Sequence, residues 1–158
     1  VTGGKWTTYR AMAEDVLERC FDAKLLPRRA GGVTEKLPLV GAPARASVSM
    51  TASPGEHLYG TEAATLRTLP GADRWLWRDG EGGLTEAMVR FAARHEMAQT
   101  VEDVLARRSR LLFLDAAEAA RQSDAVAAIL ADELGAGFDA AASAKAFKTL
   151  AAQYQRLP

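Results

Sequence analysis

Residues 84–115, LTEAMVRFAARHEMAQTVEDVLARRSRLLFLD, constrain the fold more than any other stretch, because two amphipathic helical patterns meet there with only Gln99–Thr100 between them. Thr85 is a good N-cap and Glu86 stands in the first turn, where the helix dipole favours an anion. Leu84, Met88, Phe91, His95 and Ala98 recur at spacings of four and three along one face. A second cap follows at Thr100-x-x-Asp103, and Val101, Val104, Leu105, Leu111 and Leu112 form the next apolar side. Two such helices need further helices to cover their stripes. Interleaved with the stripes is a polar set: His95, Glu96, Thr100, Asp103, Arg107 and Arg108. His95 reads as a hydrogen-bonded core histidine. Arg108 falls beside the stripe and requires a carboxylate partner, Glu96 first and Asp103 second. The set as a whole reads as a structural polar cluster.

The remaining chain supplies the cover. Tyr9, Met12, Ala13, Val16, Leu17 and Cys20 form a helical stripe that Thr7 or Thr8 would cap and that should end near Asp22–Lys24. Glu56–Leu69 reads as a helix with a partial apolar face, stopped by Pro70-Gly71. Trp75 and Trp77 fall in a glycine-flanked segment and read as tryptophans locking a loop onto the bundle. After Asp115, a short helix Ala116–Arg121 is expected, then a break capped by Ser123 or Asp124, a helix to Leu134 stopped by Gly135, and a last helix from about Ala140 to Arg156. Alanine is abundant and strand-like alternation nearly absent. The expected fold is therefore all-α: a compact bundle of about six or seven helices, with a long irregular loop at Ala30–Gly55. There is room for a short strand in the N-terminal turn or in that loop, where Val48 and Met50 alternate with polar residues. A soft domain boundary is placed at residues 24–40.

Several chemistries find no support. His95-Glu96 begins a zinc-protease motif, but position 99 is Gln, and with two histidines and one cysteine in 158 residues no protein metal site is expected. Ser109 and Ser123 lack a nucleophile-elbow context. Twenty basic residues balance twenty acidic ones, so nucleic acid is not expected as a partner, and Arg107 has an i,i+4 partner in Asp103. Cys20 alone forms no intramolecular disulfide, which suits a reducing compartment. No apolar run approaches a membrane span. The start, Val-Thr-Gly-Gly-Lys, has neither an initiator Met nor a signal-peptide shape, and reads as a cut from a longer protein. Residues 25–158 thus read as a helical domain without a self-contained active site. Only Gly3-Gly4-Lys5 hints at chemistry: a glycine pair before a capped helix leaves backbone N–H groups open to an anion or an electron-rich cofactor, although a plain helix-entry turn is the commoner meaning.

Gly-Gly-Lys-Trp-Thr-Thr-Tyr-Arg at 3–10 resembles the last strand-to-helix turn of the flavin domain in FAD-dependent respiratory glycerol-3-phosphate dehydrogenases. The run Arg94-His95-Glu96-Met97-Ala98, then Thr100 to Arg108, then Arg110-Leu111 and Phe113-Leu114-Asp115, resembles the carboxy-terminal helical domain of the same family, and Tyr59-Gly60 before a helix also fits. The loop at 39–54 has no counterpart in the resemblance. The resemblance implies that residues 1–24 are the end of a flavin-binding domain and 25–158 a C-terminal helical accessory domain. It implies a parent enzyme that oxidises sn-glycerol 3-phosphate to dihydroxyacetone phosphate, uses FAD and passes electrons to quinone. Lys5 would be catalytic, with Gly3, Gly4, Lys5, Thr7 and Thr8 at the flavin. The fragment would neither hold FAD nor turn over substrate, because the dinucleotide fingerprint of the flavin fold is missing here. Its partners would be its own flavin domain and, in the parent, the inner face of the cytoplasmic membrane, approached peripherally; a homodimer stays open. The other reading, from a different class, is a helical module that binds a protein or a membrane surface without enzymatic role.

Overall fold

The computed structural model describes residues 5–43, 54–80 and 82–155. The chain divides into two compact units, Val1–Leu39 and Val40–Pro158, inside the stretch where the sequence places a soft boundary.

The first unit is built on α1 (Tyr9–Asp22), which ends as Lys24 takes a left-handed φ of 58°. Arg28 folds back along it, donating to Glu18 at 2.7 Å and Asp22 at 2.6 Å. Thr8 occupies the N-cap position, but its side chain does not cap. Its hydroxyl donates to the Lys5 carbonyl at 3.2 Å instead, and its own N–H donates to the same oxygen at 3.0 Å. Neither threonine therefore supplies the expected cap.

The second unit is helical around a two-stranded hairpin. A 3-10 segment at Glu56–Glu62 leads into α2 (Ala63–Arg67), shorter than the single helix expected over 56–69. Strands β1 (Trp75–Asp79) and β2 (Gly82–Thr85) pair antiparallel, with Trp77 opposite Leu84 and Arg78 opposite Gly83. The tryptophan segment is thus a strand rather than a loop. Trp77 packs on the core, while Trp75 stays partly exposed with the Arg78 guanidinium 4.9 Å over its ring. The strand position considered at Val48 and Met50 lies outside the described residues.

From β2 the chain enters α3 (Glu86–His95), capped as expected by Thr85, whose hydroxyl accepts from the Met88 N–H at 3.3 Å. The next helix also starts at its expected cap. Asp103 accepts from the N–H groups of Gln99 and Thr100, and the Thr100 hydroxyl accepts from the Asp103 N–H at 3.1 Å. It does not run on to Asp115. Asp103–Arg108 widens into a π-helical turn, closed by the Ser109 N–H on the Val104 carbonyl at 2.9 Å, and Arg110 then turns left-handed at φ 60°. A one-turn α4 (Leu111–Leu114) follows.

Asp115 caps α5 (Ala116–Leu134), accepting from Glu118 N–H at 2.8 Å. The break expected near Ser123 is absent. The Ser123 side chain is fully buried inside the helix and donates to the Ala120 carbonyl at 2.7 Å, so it satisfies itself locally without interrupting the helix. Gly135 stops α5 at φ 74°, where a side chain would be strained. Helix α6 (Ala140–Tyr154) returns along α5, and Lys148 reaches Asp124 at 2.6 Å.

The core lies where α3, the 101–108 segment, α4, α5 and α6 meet. Ala98, Val101, Val104, Leu105, Leu111 and Leu112 are all buried, as their spacing requires, together with Val126, Leu130, Phe147 and Ala151. The Val101 N–H is satisfied by the Ser143 hydroxyl of α6 at 3.0 Å, a cap delivered from a distant helix. Among the described residues of the second unit, five α-helices and one π-helical segment frame this core, and with α1 in the first unit the helical expectation holds, a short hairpin added.

Candidate functional site

A cleft of about 490 Å³ opens in the second unit. Its apolar wall comes from Leu84 of β2, Met88 and Phe91 of α3, and Val104 of the π-helical turn. Tyr59 stands on Phe91 edge to face, ring centres 5.1 Å apart, and the His95 ring centre lies 4.7 Å from that of Phe91. His95 is solvent-exposed, so it is not the core histidine its place on the stripe suggests; α3 ends there and the ring turns out over Phe91.

The cleft also gathers Glu96, Arg107 and Arg108. Arg108 finds the expected partner in Glu96, but mainly through the main chain: Nη2 donates to the Glu96 carbonyl at 2.6 Å, while Nε lies 3.6 Å from the carboxylate. Its side chain is 42% exposed, so the buried-stripe expectation is corrected. The π-helical turn rotates Arg108 off the apolar face and onto the cleft rim. An exposed pair of this kind contributes about 1 kcal/mol or less. Arg108→Met should therefore lower the unfolding free energy by only about that much, read from a urea titration. A loss of several times this size would show that Arg108 holds the bundle together.

Thr100, Asp103 and Arg107 form a separate chain of contacts beside the cleft. Arg107 donates to Asp103 at 3.1 Å and to Glu102 at 2.7 Å. Burial pushes the Asp103 carboxyl upward, but the N–H of Gln99, the hydroxyl and N–H of Thr100 and the Arg107 charge outweigh it and hold the group below the ordinary carboxylate range. Burial, aided by Glu96 and opposed by Arg108, raises the Tyr59 phenol above its ordinary value, so it stays a neutral hydrogen-bonding group at any physiological pH. Arg107 and Arg108 are thus both engaged by acidic residues. The six residues fall into two groups: Thr100, Asp103 and Arg107 linked at the helix cap, and His95, Glu96 and Arg108 along the cleft.

Of the residues expected at a flavin, Gly3 and Gly4 lie outside the described residues. Lys5, Thr7 and Thr8 stand exposed at the start of α1, whose first-turn N–H groups have no side-chain cap.

Sequence reasoning missed the most buried charge cluster. Arg90 donates to Glu133 at 2.6 Å and to Glu86 at 2.7 Å, all three side chains nearly enclosed. Arg94 holds the other edge of Glu133, and Arg74 reaches Glu86 at 2.7 Å. Glu86, Arg90 and Arg94 repeat at i,i+4 on α3, which is a signal; Glu133 lies far along the chain and is not.

A mostly-α domain with a cleft whose arginines are paired to acidic residues is the class these features define. A family model described as the C-terminal domain of alpha-glycerophosphate oxidase matches residues 32–141, and the chain belongs to that family. The mitochondrial glycerol-3-phosphate dehydrogenase of Arabidopsis thaliana is 34% identical over 160 residues, covering 84% of this chain and 25% of the relative. Glycerol-3-phosphate dehydrogenase 1 of Mycobacterium tuberculosis (strain ATCC 25618 / H37Rv) is 40% identical over 117 residues, covering 70% and 22%. The glycerol-3-phosphate dehydrogenase of Pseudomonas aeruginosa is 37% identical over 144 residues, covering 77% and 26%. The chain thus spans about a quarter of the length of the curated relatives it matches. No solved structure matches it.

Proposed function

We propose that this chain is the C-terminal part of an FAD-dependent enzyme that oxidises sn-glycerol 3-phosphate to dihydroxyacetone phosphate and passes the electrons to quinone. The observation that carries the reading is the family match over 32–141 combined with relatives that are glycerol-3-phosphate dehydrogenases. Residues 1–24 would be the end of the flavin-binding domain, and 25–158 a helical accessory domain without catalytic groups of its own. The paired state of Arg107 and Arg108 supports a structural role for that domain. Peripheral association with the inner face of the cytoplasmic membrane fits the quinone acceptor; among the described residues no helix is long and apolar enough to cross a membrane.

The described residues at the start of α1 fit a flavin that becomes electron-rich. The helix presents N–H groups that no side chain caps, and Lys5 is an exposed cation one turn before it. FAD, when bound, supplies the acceptor for the hydride leaving the substrate carbon. Lys5 would hold an ammonium beside the developing negative charge, Gly3 and Gly4 would allow close backbone approach, and Thr7 and Thr8 would add donors.

The test uses the full-length protein and glycerol-3-phosphate-dependent dye reduction. Lys5→Ala should lower kcat/KM by about 100-fold or more, with flavin absorbance retained. Full activity in Lys5→Ala would remove Lys5 from the chemistry. A parent that ignores glycerol 3-phosphate would remove the whole reading.

A further inference from the structure

We propose that the face formed by Phe113, Leu114 and Tyr154 is the surface on which the remaining polypeptide of the full-length protein docks in cis. Helix α4 is a run of four apolar residues, Leu-Leu-Phe-Leu, of which only half face the core. Leu111 and Leu112 are buried, whereas Phe113 is 57% and Leu114 58% exposed. From α6, Tyr154, 48% exposed, meets the Phe113 ring edge to face at 5.6 Å. Between them lies a depression of about 320 Å³ over Ala116 and Ala117, bordered by Gln155, whose amide donates to the Ala116 carbonyl at 3.3 Å. Three large apolar side chains grouped around a hollow form a patch of the kind that marks a contact surface.

The size of the patch selects its occupant. A stable complex between free molecules buries roughly 800 Å² per partner, and an aromatic side chain supplies about 150–250 Å² when fully covered. Three half-exposed side chains fall far short of that, so a second copy would not be held here by this face. A covalently attached domain is present at an effective concentration in about the millimolar range and needs much less contact area to stay docked. Such a domain is available, since the curated relatives carry about three quarters of their length outside the matched region. The inference rests on reading the chain as one part of a longer enzyme, and it adds the surface by which that part is held.

Full-length protein carrying Cys20→Ser and one of Phe113→Cys, Leu114→Cys or Lys145→Cys is alkylated, and each site is followed by peptide mapping. Lys145 is exposed on α6 and serves as the reference. Phe113→Cys and Leu114→Cys should react at least about tenfold more slowly than Lys145→Cys, as expected for opening-limited access. In the unsubstituted full-length protein, the amides of 111–117 should exchange slowly for so short a helix. Equal alkylation rates with fast exchange would overturn the proposal. Protection lost on about hundredfold dilution would assign the face to a second copy, and protection appearing only with phosphatidylglycerol vesicles would assign it to lipid; either overturns it as well. Labelling is read without turnover, so its failure is separate from a failure of glycerol 3-phosphate oxidation.

Discussion

Gly83→Ala should destabilise the second unit by on the order of 3 kcal/mol, about 10 °C in Tm for a unit of this size. Gly83 sits in β2 at φ 137°, a conformation that side chains rarely adopt. A Cβ there would stand 2.2 Å from the Trp77 carbonyl oxygen and 2.9 Å from the Arg78 Cα, both backbone atoms of the partner strand. Neither can rotate away as a side-chain tip could, so β1 must leave β2. The damage then spreads, because Leu84 and Thr85 follow in the same strand, the first walling the cleft and the second capping α3. Gly137→Ala is the matched control. Nothing lies within 4 Å of its Cβ position, and it should change stability by no more than about 0.5 kcal/mol. If the two variants melt alike, the close backbone approach at Gly83 does not hold β1 against β2.

Arg90→Met should cost about 3–5 kcal/mol, far more than Arg108→Met, although both remove one arginine from one acid cluster. The difference is burial. Arg90 is the shared cation between Glu86 and Glu133, and its removal leaves two nearly enclosed carboxylates with only Arg74 and Arg94 at their outer edges. Arg90→Lys should rescue little, since one ammonium does not span both acids as the guanidinium fork does. The double variant Arg90→Met/Glu133→Leu should recover part of the loss by removing one stranded charge.

Acid titration gives an independent check. Arg94, then Arg90, hold the Glu133 carboxyl below its ordinary 4.5 against the opposing effect of burial. A depressed folded-state value means the stabilisation is complete above pH 4.5 and is lost as pH falls through the folded value. The Tm gap between wild type and Arg90→Met should therefore be widest near about pH 7 and should narrow towards about pH 3. A gap that stays constant across that range would mean that Arg90 stabilises by packing alone.

What the sequence could announce is set by the range of its signals. Capping is local, and the caps at Thr85 and Thr100–Asp103 stand where their residue types require. The apolar stripes are local too, and Val101, Val104, Leu105, Leu111 and Leu112 are buried as their periodicity demands. The tryptophan strand was hidden because Trp75-Leu76-Trp77 carries no polar alternation, and a bulge between Trp75 and Trp77 breaks the register. The helix after Thr100 looked continuous since nothing in Arg107-Arg108-Ser109-Arg110 marks a π-helical turn.

The partner list of each charge lay beyond local reach. Glu96 for Arg108 was legible at twelve residues' separation because the two helices adjoin. Glu133 for Arg90, forty-three residues away, was not. By itself the sequence determined the helical class, the start of each central helix, the buried stripe and the family. Tertiary structure decided which charges are enclosed, which way His95 and Arg108 face, and which half of the Leu-Leu-Phe-Leu turn is left uncovered. Helix caps and periodicity are set by neighbours within four residues, whereas burial is set by whatever other segment arrives.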